Sequence, residues 1–121
     1  DLDYLKQAND RFGHAAGDAM IVDAAQLLRS LFRSTDVVAR LGGDEFVVLA
    51  SDYTSSEEVL LRLHHALEAF RRNTGRPLSL SVGLAESSVR GNSDLDALLQ
   101  QADTAMYASK CARRRPLAVN Q

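Results

Sequence analysis

Residues 40–46 read Arg-Leu-Gly-Gly-Asp-Glu-Phe, and this stretch joins two apolar segments, 37–41 and 46–50. Apolar, β-branched segments on either side of a short glycine-containing turn predict a β-hairpin. Gly42 and Gly43 have no side chains, so a ligand can approach the backbone closely. Asp44 and Glu45 would then stand at the tip of the hairpin, where carboxylates can hold a divalent cation. The alternative is an ordinary tight turn whose acids face solvent, because glycine and aspartate are common in turns.

The composition is that of one globular domain. The chain has 121 residues, of which 45% are hydrophobic and 25% charged, and its formal net charge is −2. That charge does not favour nucleic acid or an anionic membrane as a partner. The single cysteine, Cys111, excludes a disulfide within the chain and favours a reducing compartment. We therefore expect a cytoplasmic location, which includes the cytoplasmic part of a membrane-anchored sensor.

Hydrophobic periodicity and capping signals predict the other elements. A helix is expected near the start of the chain, and further helices over 15–33, over 55–73 and from Ser93 or Asp94 towards Pro116. Alternation over 78–84 predicts a strand with one buried face, and 117–119 is a candidate final strand. Helices interleaved with antiparallel strands indicate an α+β sheet with helices packed against it.

The first residues carry a second group of acids. Asp1-Leu2-Asp3 resembles the end of a strand, and carboxylates at a strand end suit Mg²⁺, which prefers oxygen ligands. Lys6 can neutralise phosphate charge. The alternative is a charged, solvated start of a helix, and we expect Asp3 and Asp10 to have only that capping and solvating role.

Five separated motifs together resemble one family, the GGDEF-domain diguanylate cyclases. In chain order they are Asp1-x-Asp3-x-x-Lys6-x-x-Asn9-Asp10, Gly13-His14-x-x-Gly17-Asp18, Arg40-x-Gly42-Gly43-Asp44-Glu45-Phe46, Ser81-Val82-Gly83 and Ala102-Asp103-x-Ala105-Met106-Tyr107-x-x-Lys110. Each motif is weak alone, but their occurrence in this order over nearly the whole chain is specific. The chain is interpreted as a GGDEF domain over 1–121 that lacks the N-terminal helix and strand usual in the family.

The resemblance implies both fold and activity. The fold would be a nucleotide-cyclase-like sheet of the ferredoxin-like or palm type, with the β-hairpin as the active site and flanking helices. Family members condense two GTP molecules into cyclic di-GMP and two pyrophosphates at the interface of a domain dimer. The resemblance also implies two Mg²⁺ or Mn²⁺ ions per active site, cyclic di-GMP as product and inhibitor, and an upstream sensory or dimerisation domain. Positioning and charge neutralisation are the main requirements of phosphoryl transfer.

The resemblance assigns a role to each matching residue. The metal ligands would be Asp1, the Leu2 carbonyl, Asp44 and Glu45, and the catalytic residues would be Asp44, Glu45 and Lys6. Phosphates would be held by the backbone N–H groups of Tyr4 and Leu5 and by the side chains of Lys6, Lys110 and Arg114. The guanine base would be held by Asn9 and Asp18, and Gly43 would allow the substrate to come close.

A further motif precedes the hairpin. Arg33-Ser34-Thr35-Asp36 resembles the family's product-inhibition site, in which Arg33 and Asp36 would bind cyclic di-GMP and Arg62 is a candidate supporting arginine. The alternative is a surface ion pair between residues three apart. Arg113 and Arg115 replace the glycine and asparagine that usually follow the last motif, which leaves the local phosphate contacts open.

Two other functions remain as alternatives to an active cyclase. One is a catalytically silent GGDEF domain that binds GTP or cyclic di-GMP as a regulator, and the other is a structural or dimerisation module. The acids and amides of the matching motifs are all intact, which argues against a silent domain.

Overall fold

The structure is a computed structural model that describes residues 1–51, 55–86 and 95–114, without the side chains of 113 and 114. Its elements are α1 (Leu5–Phe12), α2 (His14–Leu31), β1 (Val37–Arg40), β2 (Phe46–Leu49), α3 (Ser56–Thr74) and α4 (Leu95–Arg114). They belong to two compact units, Asp1–Leu80 and Ser81–Gln121. This mixture of helices and antiparallel strands has the expected α+β character. No helix among the described residues is long and apolar enough to cross a membrane.

The predicted hairpin is present. Strands β1 and β2 pair antiparallel, with Val37 opposite Leu49 and Arg40 opposite Phe46. The backbone N–H of Leu41 donates to the Glu45 carbonyl at 2.9 Å, which closes the loop that carries the two glycines. The Arg40 guanidinium also donates to a carbonyl of this loop, that of Gly42, at 2.8 Å. The hairpin tip is thus fixed by bonds from both the backbone and a side chain.

Helix α3 follows its sequence signals closely. The Ser55 hydroxyl accepts a hydrogen bond from the backbone N–H of Glu58 at 3.1 Å, which caps the first turn. Gly75 ends the helix in the left-handed region, with φ 69°, where glycine is favoured. The observed bounds, 56–74, agree with the predicted helix over 55–73.

The core of the first unit consists almost entirely of leucine. Its buried apolar residues are Leu2, Ala24, Leu27, Leu28, Leu63, Leu67, Leu78 and Leu80. Helices α2 and α3 pack together through their leucine faces, as the periodicity predicted. Burying one such side chain stabilises the fold by about 1.5–3 kcal/mol relative to leaving it exposed. An ion pair between Arg76 and Asp23, 3.1 Å long, ties the end of α3 back to α2.

The strand predicted over 78–84 is wrong as a continuous element. Within the described residues, Leu80 alone makes a bridge, antiparallel to Leu2. Leu78 and Leu80 are buried, as the alternation predicted, but Ser81 is buried too, at 1% exposed, and Val82 and Leu84 are half-buried. Tyr4, with φ 65°, turns the chain into α1, which ends the pairing on the Leu78 side of the bridge. Residues 117–119, the candidate final strand, lie outside the described residues.

The second unit contains α4 and the segment that leads to it from Ser81. A Cβ atom placed on Gly83 would overlap the Ala102 carbonyl and come within 2.8 Å of the Met106 Cβ. This segment therefore packs directly against the backbone of α4, and only glycine fits at the contact. The predicted capping residues of α4, 93 and 94, lie outside the described residues.

Candidate active site

The hairpin tip lies beside the first residues of the chain. The backbone N–H of Leu2 donates to the Asp44 carbonyl at 2.7 Å. Asp1 precedes this peptide group directly, so the bond brings Asp1 and Asp44 together although they are far apart in sequence. Both residues are half-buried, as is Glu45 directly before β2. The backbones of three of the four predicted metal ligands therefore lie together at the hairpin tip, and the fourth, Glu45, follows Asp44 directly.

Asp3 holds this segment in place from the other side. It is only 7% exposed. Its Oδ2 accepts from the Ser79 hydroxyl at 2.7 Å, and its N–H donates to the Ser79 carbonyl at 2.9 Å. The expectation that Asp3 caps and solvates a helix is therefore wrong, because a buried carboxylate needs hydrogen-bond donors and Ser79 supplies one. Asp10 is exposed, as expected.

Helix α1 begins immediately after these acids. Tyr4 precedes it in the left-handed conformation, and the Tyr4 side chain does not cap the first turn. That turn also contains no acidic residue. Its backbone N–H groups and the exposed Lys6 on the same turn therefore make a positive region suited to phosphate oxygens. A left-handed tyrosine is uncommon, and such strain concentrates at functional sites.

The residues predicted to hold guanine lie where α1 meets α2. Asn9 is half-buried on α1, and its Oδ1 is a buried oxygen that accepts no hydrogen bond from any described residue. Asp18 is exposed on α2, directly after Gly17, whose backbone contacts the Asn9 amide. A buried acceptor without a donor is costly, which sets the Asn9 amide apart from the other buried polar groups that the structure describes.

The motif before the hairpin forms a tight turn. Asp36 is 4% exposed. Its carboxylate accepts from the backbone N–H of Arg33 at 2.9 Å and from that of Ser51 at 3.3 Å. Arg33 itself is exposed. Arg29 of α2 donates to the Asp36 carbonyl at 3.2 Å. This turn therefore joins α2 to the start of β1 and to the segment that follows β2.

The donor set at the hairpin tip suits a hard divalent cation. Among the described residues there is no group of three or more histidine, cysteine or acidic side chains that could enclose a metal. Mg²⁺, however, usually takes one or two carboxylates and completes its shell with water and substrate phosphates. Asp1, Asp44 and the Leu2 carbonyl have the chemistry of that pattern.

Gly43 belongs to the hairpin tip, whereas the predicted phosphate-binding residues Lys110 and Arg114 lie on α4. The space beside Gly43 is open, since a Cβ placed there would meet nothing within 4 Å. Lys110 lies on α4 in the second unit, and the side chain of Arg114 is outside the described set. The roles of Lys110 and Arg114 in phosphate binding stay predictions.

Comparison with known proteins identifies the family. The family model described as "Diguanylate cyclase, GGDEF domain" matches residues 1–116. The chain belongs to the GGDEF-domain family of diguanylate cyclases. Diguanylate cyclase DgcP of Pseudomonas aeruginosa is 38% identical over 122 residues, which cover 98% of this chain and 18% of that protein. Diguanylate cyclase A of Treponema denticola is 32% identical over 116 residues, which cover 91% of this chain and 31% of that protein.

Solved structures of GGDEF domains share the fold. The crystal structure of the GGDEF domain of YfiN, or TpbB, from Pseudomonas aeruginosa superposes with a TM-score of 0.77 at 37% identity, covering 93% of this chain and 73% of that one. A microbial GGDEF domain with a novel mode of interaction with cyclic di-GMP gives a TM-score of 0.74 at 36% identity, covering 93% and 69%. The predicted family and cyclase-like fold are confirmed. The chain spans less than a third of the length of DgcP and of diguanylate cyclase A.

Proposed function

We propose that the protein carrying this domain is a diguanylate cyclase that condenses two GTP molecules into cyclic di-GMP and two pyrophosphates. The observation that carries the proposal is the 2.7 Å bond from the Leu2 N–H to the Asp44 carbonyl, which brings Asp1 to the hairpin tip. Membership of the GGDEF family supports it. We place the reaction in the cytoplasm, where GTP is available and Cys111 stays reduced.

The substrate would lie across α1. Its phosphates would take hydrogen bonds from the backbone N–H groups at Tyr4 and Leu5 and an ion pair from Lys6, because the acid-free first turn offers donors there. Lys110 and Arg114 would contact the terminal phosphates. At the other end of α1, the Asn9 amide would hydrogen-bond the guanine base.

The hairpin acids would work at the reacting phosphate. Asp1, Asp44, Glu45 and the Leu2 carbonyl would hold the divalent cations. Two such ions, Mg²⁺ or Mn²⁺, would supply charge neutralisation on the phosphates and lower the pKa of the attacking 3′-hydroxyl. Glu45, half-buried beside Asp44, is placed to receive the proton of that hydroxyl. Gly43, with open space beside it, lets the nucleotide approach the hairpin.

The reaction would require a dimer. Each domain binds one GTP, and cyclisation joins two nucleotides held face to face. Aligning two bound substrates converts an encounter in solution into a reaction between positioned groups, which removes a large entropic barrier. We infer that a homodimer forms the active state and that an upstream sensory or dimerisation domain controls it.

Product inhibition would act at the turn of Arg33 and Asp36. The exposed Arg33 offers a forked donor to the phosphates or guanine edges of cyclic di-GMP. Asp36 holds the turn through its bonds to backbone N–H groups, and its carboxylate would also accept from guanine N–H groups. Arg62 donates to the Leu31 carbonyl at 3.0 Å, close to this turn in the chain. A small depression of about 10 Å³, lined by Leu31, Phe32, Val59 and Arg62, lies beside it.

Activity is tested by incubating the intact, dimeric protein with GTP and Mg²⁺ and measuring cyclic di-GMP and pyrophosphate by chromatography. We expect one cyclic di-GMP and two pyrophosphates for each pair of GTP molecules consumed. Asp44→Asn should remove product formation, because the hairpin loses a charged ligand. Glu57→Gln, an exposed acid on α3, is the matched control and should retain activity.

Two outcomes would count against this function. If the dimer makes no product, the cyclase proposal fails, and GTP or cyclic di-GMP binding without turnover would instead support a silent regulatory domain. If Asp44→Asn made cyclic di-GMP as fast as the wild type, the carboxylate of Asp44 would not be needed for the activity.

The inhibitory site has its own test. Arg33→Ala should weaken inhibition by added cyclic di-GMP while initial turnover stays largely intact, because Arg33 lies outside the catalytic cluster. Arg72→Ala, an exposed arginine on α3, is the control. If cyclic di-GMP inhibited Arg33→Ala as strongly as the wild type, this turn would not be the inhibitory site.

A further inference from the structure

Gly17 lies inside α2 with no conformational reason to be glycine. It is buried, and only Gly13 and Gly75 among the described glycines have positive φ. Glycine in a helix interior destabilises the helix relative to alanine. A glycine retained there has a packing reason or a functional one.

The packing reason is the side-chain amide of Asn9. A Cβ atom placed on Gly17 would overlap Asn9 Oδ1 and would lie 2.7 Å from its Cγ and 3.0 Å from its Nδ2. The carboxamide of Asn9 therefore occupies the volume that any larger residue at position 17 would fill. Helices α1 and α2 pack together at this point, and the amide lies in their contact.

The Asn9 amide is also the group with unused hydrogen-bonding capacity. Its Oδ1 is buried and accepts no hydrogen bond from the residues the structure describes. The glycine thus fixes the orientation of the amide, whose oxygen lies in the space beside position 17. Guanine offers both donors and acceptors to an amide held in a fixed orientation.

We propose that Gly17 is a positioning residue for guanine recognition, which acts by leaving the space in which the Asn9 amide is held. This inference rests on the proposed binding of GTP. Gly17 touches no substrate itself, and its effect passes entirely through the orientation of Asn9.

The substitution Gly17→Ala separates this role from a structural one. The atoms that the new methyl meets belong to the end of the Asn9 side chain, which can rotate away at little cost in stability. Alanine also favours the helix. The variant should therefore be no less stable than the wild type, while the Asn9 amide leaves its position and its hydrogen bond to guanine is lost.

The test is a double-mutant cycle on GTP affinity, measured in the intact protein by displacement of a fluorescent GTP analogue. Loss of one hydrogen bond predicts on the order of 10-fold weaker GTP binding in Gly17→Ala and a similar loss in Asn9→Ala. The double variant should bind no more weakly than Asn9→Ala, because an alanine at position 9 leaves room for the added methyl. Melting temperatures are recorded for all variants.

The control is Ala19→Ser, which adds one heavy atom at an exposed position of the same helix and should leave GTP affinity unchanged. Additive losses in the double variant, or unchanged affinity in Gly17→Ala, would overturn the inference while leaving GTP binding in place. A wild-type protein that binds no GTP would overturn the proposed function together with this inference. A lower melting temperature that accounts for the lost affinity would mark Gly17 as merely structural.

Discussion

Asp36 offers the sharpest test of how the hairpin is held. Its carboxylate is 4% exposed. It joins the turn after α2 to the residue that follows β2, through the N–H groups of Arg33 at 2.9 Å and Ser51 at 3.3 Å. The perturbation is Asp36→Ala, which removes both acceptors and leaves two backbone donors without their partner.

The two hydrogen bonds to the Asp36 carboxylate contribute unequally to the free energy of unfolding. A well-formed hydrogen bond to a charged group contributes about 1.5–3 kcal/mol to stability. The bond from Arg33 has good length, whereas the bond from Ser51 is longer and Ser51 is exposed, so water can replace it at small cost. We expect a total loss of about 3 kcal/mol, which lowers the melting temperature of a domain this size by on the order of 10 °C.

Thermal and urea unfolding followed by circular dichroism at the helical band measure this loss. Thr35→Ala is the matched control, because Thr35 is exposed in the same turn and should change stability by less than about 0.5 kcal/mol. If Asp36→Ala unfolds at the same urea concentration as Thr35→Ala, the carboxylate does not hold the hairpin. The structural role argued for Asp36 would then be wrong.

Two further substitutions test local packing and capping. Gly83→Ala should destabilise the second unit by several kcal/mol. The new methyl group would meet the Ala102 carbonyl and the backbone of Met106, and a helix backbone cannot move aside at small cost. Hydrogen exchange of the α4 amides measures this loss, and exchange rates equal to those of the wild type would contradict it. Ser55→Ala should cost about 1 kcal/mol in urea unfolding, because the N–H of Glu58 loses its capping oxygen, and a stability equal to the wild type would show that the cap contributes nothing.

Local elements were predictable because their causes are local. Helix α3 was predicted almost to the residue, since Ser55 supplies a cap and Gly75 a stop within the segment itself. The hairpin was predicted for the same reason, because its apolar strands and its glycine loop are contiguous. Family motifs then placed the site residues, although spacing alone had left several roles open.

The roles of some polar residues were not predictable from their neighbours. Asp3 was expected to face solvent, and it is buried because Ser79, 76 residues away, donates to it. A serine within an alternating apolar segment was the available signal. The strand over 78–84 is reduced to one bridge from Leu80 to Leu2, and its alternation alone could not reveal how far this pairing with a distant segment extends.

The sequence by itself determined the helices, the hairpin and the family of this protein, because periodicity, caps and motifs are written in consecutive residues. Only the tertiary structure decided that the Leu2 N–H meets the Asp44 carbonyl and that Gly17 makes room for Asn9. Such contacts join residues from different elements. Their distances depend on how those elements pack, and packing is set by the whole core rather than by any one segment.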